Sequence, residues 1–204
     1  MNKRASLLPK PSSMVIDPSV IIAQHAQLTG THPITVGPRA VLHPHSKISS
    51  NLAPVVIGEG AVIYERAKVG VGMEELDSKR SSVASVTSAR NSMRGEGTVL
   101  GRNVVVETGA VIEAAEVGEG SVVEVGAHLG RGCVLGKFCT VSAHCIVPAN
   151  ANIPDYTVVY CGTEHRVDKT LQLRPEVQDM KTSFHAKQLD TFRRLIPNNI
   201  AKWA

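Results

Sequence analysis

Residues 117–158 read VGEGSV VEVGAH LGRGCV LGKFCT VSAHCI VPANAN IPDYTV when broken every six positions. Each block opens on an aliphatic residue: Val117, Val123, Leu129, Leu135, Val141, Val147 and Ile153. The fifth position is always small: Ser121, Ala127, Cys133, Cys139, Cys145, Ala151 and Thr157. The second is glycine at Gly118, Gly130 and Gly136.

A period of six is neither the helical period nor the alternation of a half-buried strand. It is the period of a hexapeptide-repeat parallel β-helix, an all-β solenoid in which each block forms one flat side of a coil. The first and fifth columns then point inward. The aliphatic column stacks as a structural core ladder, each member contributing roughly 1.5–3 kcal/mol on burial. The small column fits where space is tight, and glycine at the second position suits a corner. Backbone groups of each turn bond to the turns above and below.

Outward from this run the pattern persists with interruptions. Ile16, Ile22 and Leu28 are spaced by six, and a short insertion at Thr31-His32-Pro33 follows. Leu42 and Ile48 continue it, a second break spans 49–56, and Ile57, Ile63 and Val69 restore it. Residues 71–97 do not repeat and contain KRSSVASVTSARNS, too poor in large apolar groups to offset their ordering entropy, so a disordered corner insertion is expected. The coil resumes at Leu100, Val106 and Ile112 and fades near residue 162, giving about six to seven turns.

The ends differ. Residues 1–13 are basic, carry two prolines and are expected to form a flexible tail. The segment 163–204 loses the six-residue period. From about 176 to 196 it takes a helical one, with Pro175 in the first turn and Pro197 after the end. Val177, Met180 and Phe184 share one face, which Leu189, Phe192, Leu195 and Ile196 continue. Such a stripe must be buried, either on outward Val122, Val134, Ile146 or Val158 of the coil or against a partner. The candidate interface or helix-docking residues are therefore Val122, Val134, Ile146, Val158, Phe184, Leu189, Phe192 and Ile196.

Composition agrees with a narrow coil. Of 204 residues, 43% are hydrophobic but only 3% aromatic, whereas sandwich and bundle cores use rings heavily. The net charge of +4 is dispersed toward the ends, with no basic stripe among aromatics to mark a nucleic-acid site. No apolar run reaches the ~18 residues of a membrane span, and no signal segment opens the chain, so a cytoplasmic protein is expected. Cys133, Cys139 and Cys145 recur in the small column with no CxxC pair and read as buried packing rather than a metal or disulfide cluster.

The local strings VGPRAVLHPHSKI (36–48), VVIGEGAVIYE (55–65), LGRNVVVETGAVI (100–112), VPANANIPDYTVVYCG (147–162), TLQLRPE (170–176) and RRLIPNN (193–199) carry a more specific likeness. Together with the order coil, excursion, coil, helix, they resemble the hexapeptide-repeat subunits of the dynactin pointed-end complex over residues 15–199. The resemblance implies a left-handed parallel β-helix. It also implies a non-catalytic structural or adaptor role without cofactors, in the cytoplasm and on the cytoskeleton, in microtubule-based transport. Implied partners are dynactin subunit 5 in a heterodimer, dynactin subunit 4 and the pointed-end actin-related protein, within the dynein–dynactin motor assembly.

Two enzyme classes share this repeat. A γ-class carbonic anhydrase needs three histidines on zinc. The family's Arg-Gly-Asp element corresponds here to Thr29-Gly30-Thr31, without either charge, and no His-x-x-x-x-His occurs. His43 and His45 are two apart, and His128 and His144 fall in different columns, so no metal site is expected. An acyltransferase needs a histidine base in a cleft. His144 is the candidate, but no acidic residue can be linked to it from sequence.

Overall fold

The computed structural model describes residues 11, 13–70, 72, 97–160 and 164–203. The expectations for the tail (1–13) and for the insertion (71–97) therefore lie almost wholly outside the described residues. Parallel strands of two to four residues wind into a three-sided coil. Seven strands, from Met14–Ile16 to Asn152–Ile153, form the first face. The second runs from Ile21–Ile22 to Thr157–Tyr160, the third from Gln27–Gly30 to Ile146–Val147. Strand Glu164–Val167 turns back antiparallel on Thr157–Tyr160, a hairpin absent from the repeat reading. Register steps by one turn throughout, as in Val105↔Val122↔Thr140↔Val158.

The interior is filled by the two periodic columns. Val117, Val123, Leu129, Leu135, Val141 and Val147 are at most 1% exposed, while Ile153, in the last turn, is half-buried. Ser121, Ala127, Cys133, Cys139 and Thr157 are fully buried beside them. Burial pushes the Cys133 thiol up to about 12 and raises that of Cys139, so both stay protonated and behave as small apolar groups. Ser121 is satisfied inside: its Oγ donates to the Gly136 carbonyl and accepts from Cys139 N–H.

The corners have two requirements. At the second position a Cβ on Gly118 would stand 2.5 Å from the Gly136 carbonyl carbon, so glycine is fixed by the next turn's backbone. The left-handed conformation falls two residues later, at Gly120, Gly126, Gly132, Phe138, His144, Asn150 and Tyr156. Non-glycine residues there cost about 1–2 kcal/mol. Ring stacking offsets part of it: Phe138 lies parallel to Tyr156 at 5.9 Å, and His25 to His45 at 5.0 Å.

After the hairpin come two helices, α1 (Lys169–Leu173) and α2 (Pro175–Leu195). Asp168 caps α1 by accepting from Thr170 N–H and Leu171 N–H. α2 runs back along the second face toward the first turns, and the chain then closes the coil's beginning. Ile22 N–H donates to Asn198 Oδ1, Asn198 Nδ2 donates to the Val20 carbonyl, and Asn199 N–H donates to the Ile22 carbonyl. These bonds satisfy an open strand edge that would otherwise need another chain. Ile200 and Trp203 follow and pack against the main core.

Candidate functional site

The outward residue of each strand sets what a face offers. On the second face the column is Ile21, Val41, Val62, Val105, Val122, Thr140, Val158. Leu189 seals the first three, with Phe192 and Ile196 packed around it. His43 stacks on Tyr64 at 4.5 Å and meets the Phe192 ring edge-on at 4.8 Å. Its Nε2 is buried without a hydrogen-bond partner.

Farther along, α2 stands off the coil. Its inward residues are Val177, Lys181, His185 and Leu189, one every four positions. Lys181 Nζ donates to the Gly120 carbonyl at 3.0 Å and lies 5.9 Å over the Phe138 ring. His185 Nε2 donates to the Gly60 carbonyl at 2.7 Å. Gln188 donates to the Tyr64 hydroxyl, and Arg39 pairs with Asp190 at 3.2 Å. Between these struts and a floor of Val105, Val122 and Phe138 lies a groove of about 800 Å³. Burial lowers the pKa of Lys181 and of His185, and for His185 the nearby Arg39 and Lys181 charges act the same way.

The candidate docking residues separate. Leu189, Phe192 and Ile196 contact the coil, and Val122 floors the groove. Val158 is half-buried farther along the second face. Val134 belongs to the first face and Ile146 to the third, so neither meets α2. Phe184, placed by sequence in the buried stripe, is 61% exposed and stands on the groove's rim, as does Met180. The inward path takes Lys181 and His185 instead, because carbonyls at the coil's corner supply their partners. Periodicity of apolar residues alone carries no signal for that.

The first face has a column of its own: Val15, Thr35, Val56, Val99, Glu116, Val134 and Asn152. Val15 is 63% exposed, and Val56 and Val99 are also solvent-exposed. On the third face His128 Nε2 lies 3.9 Å from the Glu113 carboxylate. Glu113 comes from the turn before, fifteen positions back in sequence, which is why no spacing rule pairs them. Among the described residues no three of His, Cys, Asp and Glu gather as metal ligands, and no helix is long and apolar enough to cross a membrane.

No protein-family model matches the chain. Dynactin subunit 6 of Xenopus tropicalis is 36% identical over 52 residues, 26% of this chain and 25% of that protein, so the match spans a quarter of the relative's length. Two solved structures superpose over most of both chains. A hexapeptide transferase family protein from Anaplasma phagocytophilum has a TM-score of 0.65 at 14% identity, covering 92% of this chain and 95% of its own. A putative acetyltransferase from Bacillus cereus has a TM-score of 0.50 at 16% identity, covering 89% and 95%. The fold is thus the left-handed hexapeptide β-helix with a C-terminal helix. These two structures overturn the expectation of a non-enzyme: the chain has the architecture of a transferase family, and that architecture does not set it apart from enzymes.

Proposed function

We propose that the chain is an assembly subunit of the dynactin pointed-end kind, a β-helix that pairs side to side with a related β-helix in a cytoplasmic, cytoskeletal complex. The observation that carries this reading is the first face, where Val15, Val56 and Val99 form an exposed flat row beside Thr35. β-branched side chains on a rigid sheet lose little rotamer freedom on contact, and contiguous apolar surface of this sort marks interaction sites. The partial likeness to dynactin subunit 6 supports the same reading. The pairing partner is then dynactin subunit 5, with dynactin subunit 4 and the pointed-end actin-related protein beyond it. The assembly serves dynein–dynactin in engaging cargo. Co-expression with dynactin subunit 5 tests this. A 1:1 complex on size exclusion, lost in Val56→Glu/Val99→Glu while thermal unfolding is retained, is the expected result. A stable monomer that ignores subunit 5 defeats it.

A second reading, acyl transfer, is favoured by His128 and Glu113. The imidazole and carboxylate are 26% and 12% exposed, so the two groups stand side by side in a partly dry site. His128 would take the proton from an acceptor amine or hydroxyl as it attacks an acyl thioester, and the thiolate would leave. Acetyl-CoA turnover with a panel of amines, abolished in His128→Ala, would support it. Turnover indistinguishable between the two proteins would remove it.

A further inference from the structure

α2 is fastened at its last turns by Leu189 and Phe192 and braced in the middle by His185 and Lys181, leaving the groove beneath its first half open along one side. We infer that this groove docks a segment of a partner protein that carries apolar side chains and one carboxylate, the carboxylate seating against Lys181. The inference is independent of the pairing proposed above, which uses another face.

Charge argues for the carboxylate. Lys181 is half-buried above Val122 and Phe138, and one of its three N–H donors is taken, by the Gly120 carbonyl. Among the described residues no carboxylate stands within ion-pair distance of it. Asp168, whose charge it feels, is engaged by two amides at the start of α1. A desolvated cation with spare donors in an apolar groove favours an anion that brings its own apolar body. Glu107 lines the groove as well, and its charge repels an acid there, so the two groups orient an occupant.

Shape argues for a polypeptide. About 800 Å³ is within the range of small-ligand sites, roughly 300–1,000 Å³. The rim, however, carries Met180 at 55% and Phe184 at 61% exposure. A small molecule on the floor would leave both in water. A peptide side chain on the floor with its neighbours over the rim covers all of it, in the manner of a helix or strand laid in a groove.

Selection of a random dodecapeptide library displayed on phage against the full chain tests this, with fluorescence anisotropy of the best labelled peptide. Winners are expected to combine apolar residues with Asp or Glu. Affinity should fall at least tenfold with Lys181→Met and with Phe184→Ser, while Lys181→Glu should select Lys- or Arg-bearing peptides. Phe184→Ser should keep both its unfolding temperature and its pairing with dynactin subunit 5, which separates this site from the first face. Peptides indifferent to these variants would overturn the inference. So would palmitate binding at one equivalent with no peptide selected, or self-association abolished by Phe184→Ser.

Discussion

The two ends of the second face share one sequence chemistry and have different covers. Ile21, Val41 and Val62 are sealed, at 5% exposure or less. Val105, Val122 and Val158, in the same outward column, remain half-open. The coil does not cause this difference, since its register runs unbroken between them. The helix causes it: Leu189 and Phe192 meet the first group, His185 ends at the Gly60 carbonyl just before Val62, and Lys181 reaches past Val122 to the Gly120 carbonyl. A solenoid's repeat specifies its inside, and the outer covering is specified by residues that belong to no repeat.

The largest effect should separate inside from end. Leu129→Arg places a charge in a ladder position with no exposure and no partner, a cost on the scale of a domain's whole stability of about 5–15 kcal/mol. Loss of cooperative thermal unfolding by circular dichroism is expected. Ile153→Arg, in the half-buried last turn, should fold with a lowered midpoint. Equal behaviour of the two would erase the distinction between a closed interior and an open end.

Next comes the sealed half itself. Leu189→Ala removes the side chain that covers Ile21, Val41 and Val62 and should cost about 2–5 kcal/mol in urea unfolding. Asn198→Ala strips the caps from Ile22 N–H and the Val20 carbonyl and should cost about 1–3 kcal/mol. Its sharper readout is hydrogen exchange: the Ile22 amide should lose protection while that of Val106, deep in the coil, keeps it.

What could be read from sequence divides along the same line. The ladder follows from spacing, because a side chain buried in a three-sided coil must recur every six residues, as Val117 to Val147 do. The helix was legible from Pro175 and Pro197, and its docked residues Leu189, Phe192 and Ile196 from their hydrophobicity. That Phe184 stays off the coil was not legible, because an apolar stripe does not reveal that Lys181 and His185 have carbonyls to reach. The His128–Glu113 pair was invisible because stacking joins residues one turn apart, and the turn lengths at that corner vary. The glycine requirement at the tight corner was legible, and the structure names what enforces it. Gly118 answers to the backbone of the next turn, and the left-handed residue lies two positions on.

Acid should loosen the cover before the coil. His43 and His185 both lie beneath α2, and burial lowers the pKa of each, against Glu65 for His43 and against the Gly60 bond for His185. The unfolded value is about 6.5. Their contribution is therefore complete above that pH and is lost as pH falls through the lower folded values. Between pH 7.5 and 5, Trp203 fluorescence should shift as the C-terminal segment releases, while the far-UV β signal holds. In His43→Phe the shift should move to lower pH. A fluorescence change that tracks the β signal would tie cover and coil into one unit.

The smallest effect is the most discriminating. Phe184→Ala should change stability by less than about 0.5 kcal/mol, the range of surface substitutions, although it removes one of three phenylalanines in the chain. An aromatic buried as part of a docked stripe would cost about 3–5 kcal/mol on the same change. Urea unfolding of this variant beside Leu189→Ala thus measures where α2 leaves the coil. Two residues five positions apart on one helix should differ severalfold. A large loss at Phe184 would mean that the helix lies flat in solution and that the groove beneath it is closed.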